Sequence, residues 1–363
     1  MGHRQHDHIA SLRVIGRTLF ILLFSSLIPG HHLSFADSSH SQPIPALTAP
    51  THTTVEVVGN TVTVRFGPID LPTGHDGDLA ASLPKHIFHL PRDMYMTGFK
   101  ASLFIEDGTP LPREYLHHIL MINVSRESLA CPGEVYFFAG AGLEMSEAAF
   151  PSGYGVELKQ SDRLMAVVAF YHEAPPTKNV VATLTMQMAP VGLRLKPLEV
   201  YHIGINTGCY TKFAERSAGE TDEGLPIYQG IQVNRAPVSF RIDGCVKYAY
   251  PHAHDHVVLF ALEDKTHRRT LLRTSPVVDR NGSLMGFAPH QVFQDSGGFP
   301  VTTRDQYEMI MIHHRPLHDQ GSRFGMANYI LYLTPGPCSH DNVQPRALSG
   351  SHFVEDRAHV PDR

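Results

Sequence analysis

Short alternating stretches, cut every ten residues or so by Gly, Pro, Asn or Asp, constrain this chain more than any other feature. TTVEVVGNTVTVRFG reads as two strands joined through Gly59-Asn60. YMTGFKASLFIEDGTPLP reads as a strand running into the turn Asp107-Gly108. LHHILMINV, VYFFAGAG, YGVELKQSDRLMAVVAFYH and NVVATLTMQMA follow, rich in β-branched and aromatic residues with a period of two. A second series begins near residue 225: GIQVNRAPVSFRI, CVKYAYPHAHDHVVLFALED, RRTLLRTSPVV, GFPVTTRDQYEMIMIHH and ANYILYLTP. No segment carries a sustained apolar helix stripe, and 29 glycines and 27 prolines punctuate the chain. The expectation is an all-β protein built from two antiparallel β-sandwiches in tandem. A length of 363 residues corresponds to about two domains.

Residues 53–205 are expected to form the first domain and 206–337 the second, with a polar tail over 338–363. The Ser/Pro-rich stretch 37–52 reads as a linker. Ahead of it, Arg4, Arg13 and Arg17 precede the apolar run Leu19 to Ile28, then Pro29-Gly30 and the small-residue pattern Ser34-Phe35-Ala36. That is the layout of a secretory signal peptide over 1–36, cut near Ala36. The run is short of the ~20 residues a membrane span needs, so no stable membrane insertion is expected. A secreted or periplasmic location follows. A net charge of −5 offers no basic face for nucleic acid. Four cysteines in an exported chain suggest two disulfides. The pairing Cys131–Cys209 and Cys245–Cys338 keeps each bond within one expected half. Asn123 and Asn281 open N-x-S/T sequons.

Histidine is over-represented, with 25 in the chain. His252-Ala253-His254 lies inside a strand, where residues i and i+2 share a face ~6.5–7 Å apart. Two such imidazoles can converge on one metal ion, and they can equally be a solvated His-rich edge. His256 would extend the same face and Asp255 the opposite one. The doublet His117-His118 faces opposite sides on a regular strand. It serves one ion only where the strand ends or bulges, or where one ring uses Nδ1 and the other Nε2; Pro112 and Glu114 just ahead make a strand start plausible. His172 closes the strand DRLMAVVAFYH, a place usually held by a locally hydrogen-bonded residue. Met326 opens the strand ANYILYLTP, where a methionine is usually core and where a thioether would suit a soft ion such as Cu(I). His313-His314 reads as structural or exposed.

In their order along the chain, these features resemble the copper type II, ascorbate-dependent monooxygenases, the family of peptidylglycine α-hydroxylating monooxygenase and dopamine β-monooxygenase. The likeness covers roughly residues 85 to 335. GAGLEMSEAAFPSGYGVEL and PHAHDH are also similar to a stress-upregulated nodulin-like group. The resemblance implies two jelly-roll domains with two copper ions per chain, set across a solvent-filled cleft. One ion would be held by His117, His118 and His172. The other, the catalytic one, would be held by His252, His254 and Met326. It implies hydroxylation of a C–H bond in a small organic substrate with O2 and ascorbate as reductant. The alternative is a non-catalytic secreted copper-binding or surface-binding sandwich. Tyr250 and Ile330 stand where the peptide-hydroxylating members carry a basic residue and a tyrosine for the substrate carboxylate, which speaks against a glycine-extended peptide. Asp255 and Glu173 are adjacent candidates for orienting the imidazoles.

Overall fold

The computed structural model of the protein describes residues 53–71, 86–170, 176–205, 225–226, 230–280, 284–288, 292–315 and 324–338. The described chain is all β, with two single-turn 3-10 segments at Arg113–Tyr115 and Val191–Leu193. Among the described residues no helix is long and apolar enough to cross a membrane. The signal-peptide and linker expectations, the polar tail beyond Cys338, and Asn281 lie outside the described residues.

The front half is a sandwich of two sheets. One runs, edge to edge, Thr53–Val58, Thr61–Leu71, Thr177–Pro190, Met94–Ile105, Tyr154–Leu158 and Lys196–Pro197, with Glu147–Ala149 also paired to Met94–Ile105. The other orders His86–Phe88, Leu164–Phe170, Leu116–Glu127 and Val135–Gly142. The Gly59-Asn60 turn joins the first two strands, with Val58 opposite Thr61, as the alternation predicts. Val64, Met96, Ile119, Phe138, Val168 and Leu184 fill the space between the sheets.

The rear half repeats this plan with two four-stranded sheets. One orders Glu199–Ile205, Ala327–Pro335, Gly244–Ala253 and Phe293–Val301, and the other Gly230–Val238, Tyr307–Arg315, Val257–Asp264 and Arg269–Thr274. Glu199–Ile205, at the end of the first expected domain, pairs along its whole length with Ala327–Pro335 of the second. Cys245–Cys338 forms as expected. Cys131 is also disulfide-bonded, and its expected partner Cys209 lies outside the described residues. Asn123 is fully buried, its side-chain oxygen accepting the Ser125 amide at 3.0 Å; the folded chain therefore withholds this sequon from glycosylation.

The strands Gly244–Ala253 and Ala327–Pro335 are buried on both faces. Ala249, Tyr329 and Leu331 point into the rear core, whereas Tyr248, Tyr250, Ile330 and Tyr332 point into the front one. That explains why both strands read as continuous apolar runs. A bulge sets the phase: the ladders to both neighbours shift between Val246 and Tyr248. The extra residue is Lys247, itself buried, whose ammonium donates to the carbonyls of Ser296 at 2.6 Å and Gly297 at 3.2 Å. A buried cation needs such acceptors, and a one-residue bulge swaps every later side chain to the other face.

The two halves meet through aromatic rings. Tyr332 packs on Phe150 with ring centres 4.5 Å apart and donates its hydroxyl to the Phe138 carbonyl at 3.0 Å. Tyr250 donates to the Gly140 carbonyl at 3.0 Å. A seam this apolar couples the halves. Tyr332→Ala should therefore cost about 3–5 kcal/mol, and both halves should unfold in one transition by differential scanning calorimetry. Two resolved transitions would show the lobes to be independent.

Candidate metal centre

The front contribution starts at the 3-10 turn Arg113–Tyr115, from which the strand Leu116–Glu127 departs. Its ladder to Leu164–Phe170 shifts between Leu116 and His118. His117 is thus a bulged residue at a strand start, the condition under which adjacent histidines can share one side. Leu116 and Ile119 both reach the front core, while the two imidazoles between them lie with ring centres 4.4 Å apart. Opposite His118 stands Gly142. A Cβ there would meet the His117 carbonyl oxygen at 2.5 Å and a Glu144 carboxylate oxygen at 3.1 Å, so only glycine permits this approach.

The rear contribution comes from the end of Gly244–Ala253. His252 stands opposite Asn328 and Ala253 opposite Ala327. His254 continues the ladder by donating its amide to the Met326 carbonyl at 2.9 Å, which places Met326 beside it, partly buried. The rings of His252 and His254 are 5.5 Å apart and nearly perpendicular. Because of the Lys247 bulge, His252 follows Tyr248 and Tyr250 toward the front half.

The resemblance assigns the front and rear imidazoles to different ions; the fold sets them side by side. His117 and His254 have ring centres 5.8 Å apart, and His118 feels the charge of His117, His252 and His254 alike. Two imidazoles on one tetrahedral ion, with metal–nitrogen bonds of ~2.0–2.1 Å, have ring centres about 5 Å apart. The observed separations bracket that value, and an all-nitrogen donor set suits copper. Among the described residues no group of three or more His, Cys, Asp and Glu side chains is placed to hold an ion.

All four imidazoles are densely surrounded yet keep some solvent contact. Burial pushes His117 down to about 4 and His252 to about 3. His118 and His254 lie well below the ordinary value, first through burial and then through their imidazole neighbours. The cluster is therefore neutral at pH 7, the protonation state a metal ligand needs. His252 Nδ1 is in close contact with Glu144 Oε1, and the Glu144 side chain is only 5% exposed.

His172 and Glu173 lie outside the described residues. Asp255 accepts the Leu284 amide at 2.7 Å. His256 does not extend the His252 face: the strand ends at Ala253, and a φ of 67° at His256 turns it away, beside His313. His313 is fully buried and bonded to Asn234 through Nε2 at 3.1 Å, and His314 is exposed; the doublet is structural, as read. Tyr250 and Ile330 are direct cross-strand partners, both buried, so neither position offers a cation to a substrate carboxylate. Glu144 escaped the sequence reading. It lies two residues past the strand Val135–Gly142, a place where a glutamate ordinarily faces solvent. His202 also escaped it; burial lowers it to about 4, a hydrogen bond to Asn328 opposes that shift, and its ring stacks on Phe137.

No protein-family model matches the chain, and no curated protein is significantly similar to it. Among solved structures, one from Parabacteroides distasonis described as a "putative secreted protein" is 7% identical. The alignment covers 78% of this chain and 92% of that one, with a TM-score of 0.18. A likeness of that size carries no argument about this fold or this site.

Proposed function

We propose that the chain is an exported copper-dependent monooxygenase that hydroxylates a C–H bond of a small organic substrate, with O2 and an ascorbate-type reductant. Its copper centre is one shared cluster, held by His117, His118, His252 and His254 with Met326 adjoining. The observation that supports this reading is the approach of two histidine pairs, 134 residues apart from His118 to His252, with the His117 and His254 ring centres 5.8 Å apart at the seam of the two sandwiches. Copper held there would supply cycling between Cu(I) and Cu(II) and the activation of O2.

The chain's own residues do the rest. The four imidazoles stay unprotonated at neutral pH, so their nitrogens remain available as donors. Tyr250 and Tyr332 close the seam behind them with backbone-bonded hydroxyls, which keeps bulk water out from that side. The lack of a cation at Tyr250 and Ile330 favours a substrate with no carboxylate at that position. Export agrees with the Cys245–Cys338 disulfide, which persists in oxidising compartments.

The test is copper content by mass spectrometry after anaerobic loading, followed by oxygen uptake with ascorbate and a panel of neutral organic substrates. Substrate-dependent uptake that disappears in His254→Ala supports the reading. Wild-type protein that retains no copper sinks it. Copper without turnover would favour the second reading, an exported copper-binding sandwich.

A further inference from the structure

We infer that Glu144 is a positioning residue of this centre: its carboxylate accepts the Nδ1–H of His252 and fixes the ring in the tautomer that leaves Nε2 for a metal ion. The metal half of this statement rests on the proposed function; the tautomer half does not.

The geometry is particular. Glu144 Oε1 lies against His252 Nδ1, and the carboxylate belongs to the front half whereas the imidazole belongs to the rear. Glu144 is almost fully enclosed at 5% side-chain exposure, and His252 keeps 19%. A carboxylate so placed needs a donor close by, and a neutral imidazole has one N–H to give. With that proton on Nδ1, the remaining lone pair sits on Nε2, the arrangement by which a carboxylate commonly orients a metal-binding histidine.

The surroundings hold the pair in place. Gly142, two residues earlier, lies so close to the second Glu144 oxygen that a side chain there would meet it at 3.1 Å. From the rear half, Gly286 covers the Glu144 backbone, its missing Cβ lying 3.8 Å from the Glu144 Cα. The Leu284–Gly286 strand that carries it is tethered by Asp255, next to His254, through the Leu284 amide at 2.7 Å. Glu144 is thus boxed between the two halves.

Long-range 1H–15N NMR on the metal-free, histidine-labelled full chain reads the tautomer directly, with His252→Ala assigning the resonance. Wild-type protein should show His252 protonated on Nδ1. Glu144→Ala should release the ring toward the Nε2–H form that unconstrained imidazoles prefer. Glu144→Gln, which keeps an acceptor oxygen in the same shape, should retain Nδ1–H. In a parallel Cu(II) competition titration, Glu144→Ala should weaken affinity roughly 10–100-fold, with partial recovery in Glu144→Gln. A wild-type His252 carrying its proton on Nε2 overturns the inference. So does a Glu144→Ala protein, folded by circular dichroism, with unchanged tautomer and copper affinity. A wild-type chain with the Nδ1–H tautomer but no copper binding refutes the proposed function and leaves the Glu144–His252 assignment standing.

Discussion

Lowering the pH from 7 to 4.5 should destabilise the metal-free protein by about 2–3 kcal/mol through His117 alone. Burial holds it at about 4 in the folded chain, against ~6.5 when unfolded. Below ~6.5 the unfolded chain therefore binds protons that the native fold refuses. Stability falls with pH through that window and levels off only near the folded value. At pH 4.5 His117 accounts for about 2–3 kcal/mol, at ~1.36 kcal/mol per unit of separation. His118 and His254, shifted in the same direction, add to the loss. A domain typically has about 5–15 kcal/mol in total, so the metal-free protein should lose a large share of its stability by pH 4.5. Thermal melts at pH 7, 5.5 and 4.5 check this. The variant His117→Asn should show a shallower decline. A melting temperature that holds steady to pH 4.5 in the wild type would mean that the native imidazoles protonate freely and are not enclosed in this way.

Histidines from the two halves should answer as one copper site. His118→Ala and His254→Ala are each expected to weaken Cu(II) binding by more than about a hundredfold, beyond what loss of an orienting partner costs. The double variant should be far less than additive, because residues sharing one centre couple strongly. Chelator competition gives the affinities, and electron paramagnetic resonance shows whether both single variants alter the same signal. Two independent ions would behave otherwise: each substitution would remove one copper, leave the other signal untouched, and the losses would add. That result would restore the separated sites implied by the family resemblance and overturn the shared centre.

Much of this molecule is legible from residue order. Alternation and punctuation sufficed for the all-β class, for the hairpin at Gly59-Asn60, and for the strand start at His117-His118; the run CVKYAYPHAHDHVVLFALED, read as one strand, is two, Gly244–Ala253 and Val257–Asp264. Local sequence could do this much because strand pleat, turn chemistry and face-by-face burial act over a few residues. The condition for His117 and His118 to act together, a start or bulge at that point, was also readable, and the structure supplies both. Glu144 was not readable, because a glutamate near the end of an apolar strand ordinarily faces solvent. Only the rear half, folded over it, turns it into a buried partner for His252.

By itself, then, the sequence determined the strand content and allowed, without dictating, the Cys245–Cys338 bond. Tertiary structure alone decided where the paired histidines point. Two one-residue bulges, at His117 and Lys247, shift the side-chain phase, and the tyrosine-lined seam presses the halves together. The physical reason is that pleat phase and sheet-to-sheet contact depend on long-range partners: Lys247 bulges because the carbonyls of Ser296 and Gly297, some 50 residues away, are there to receive its charge.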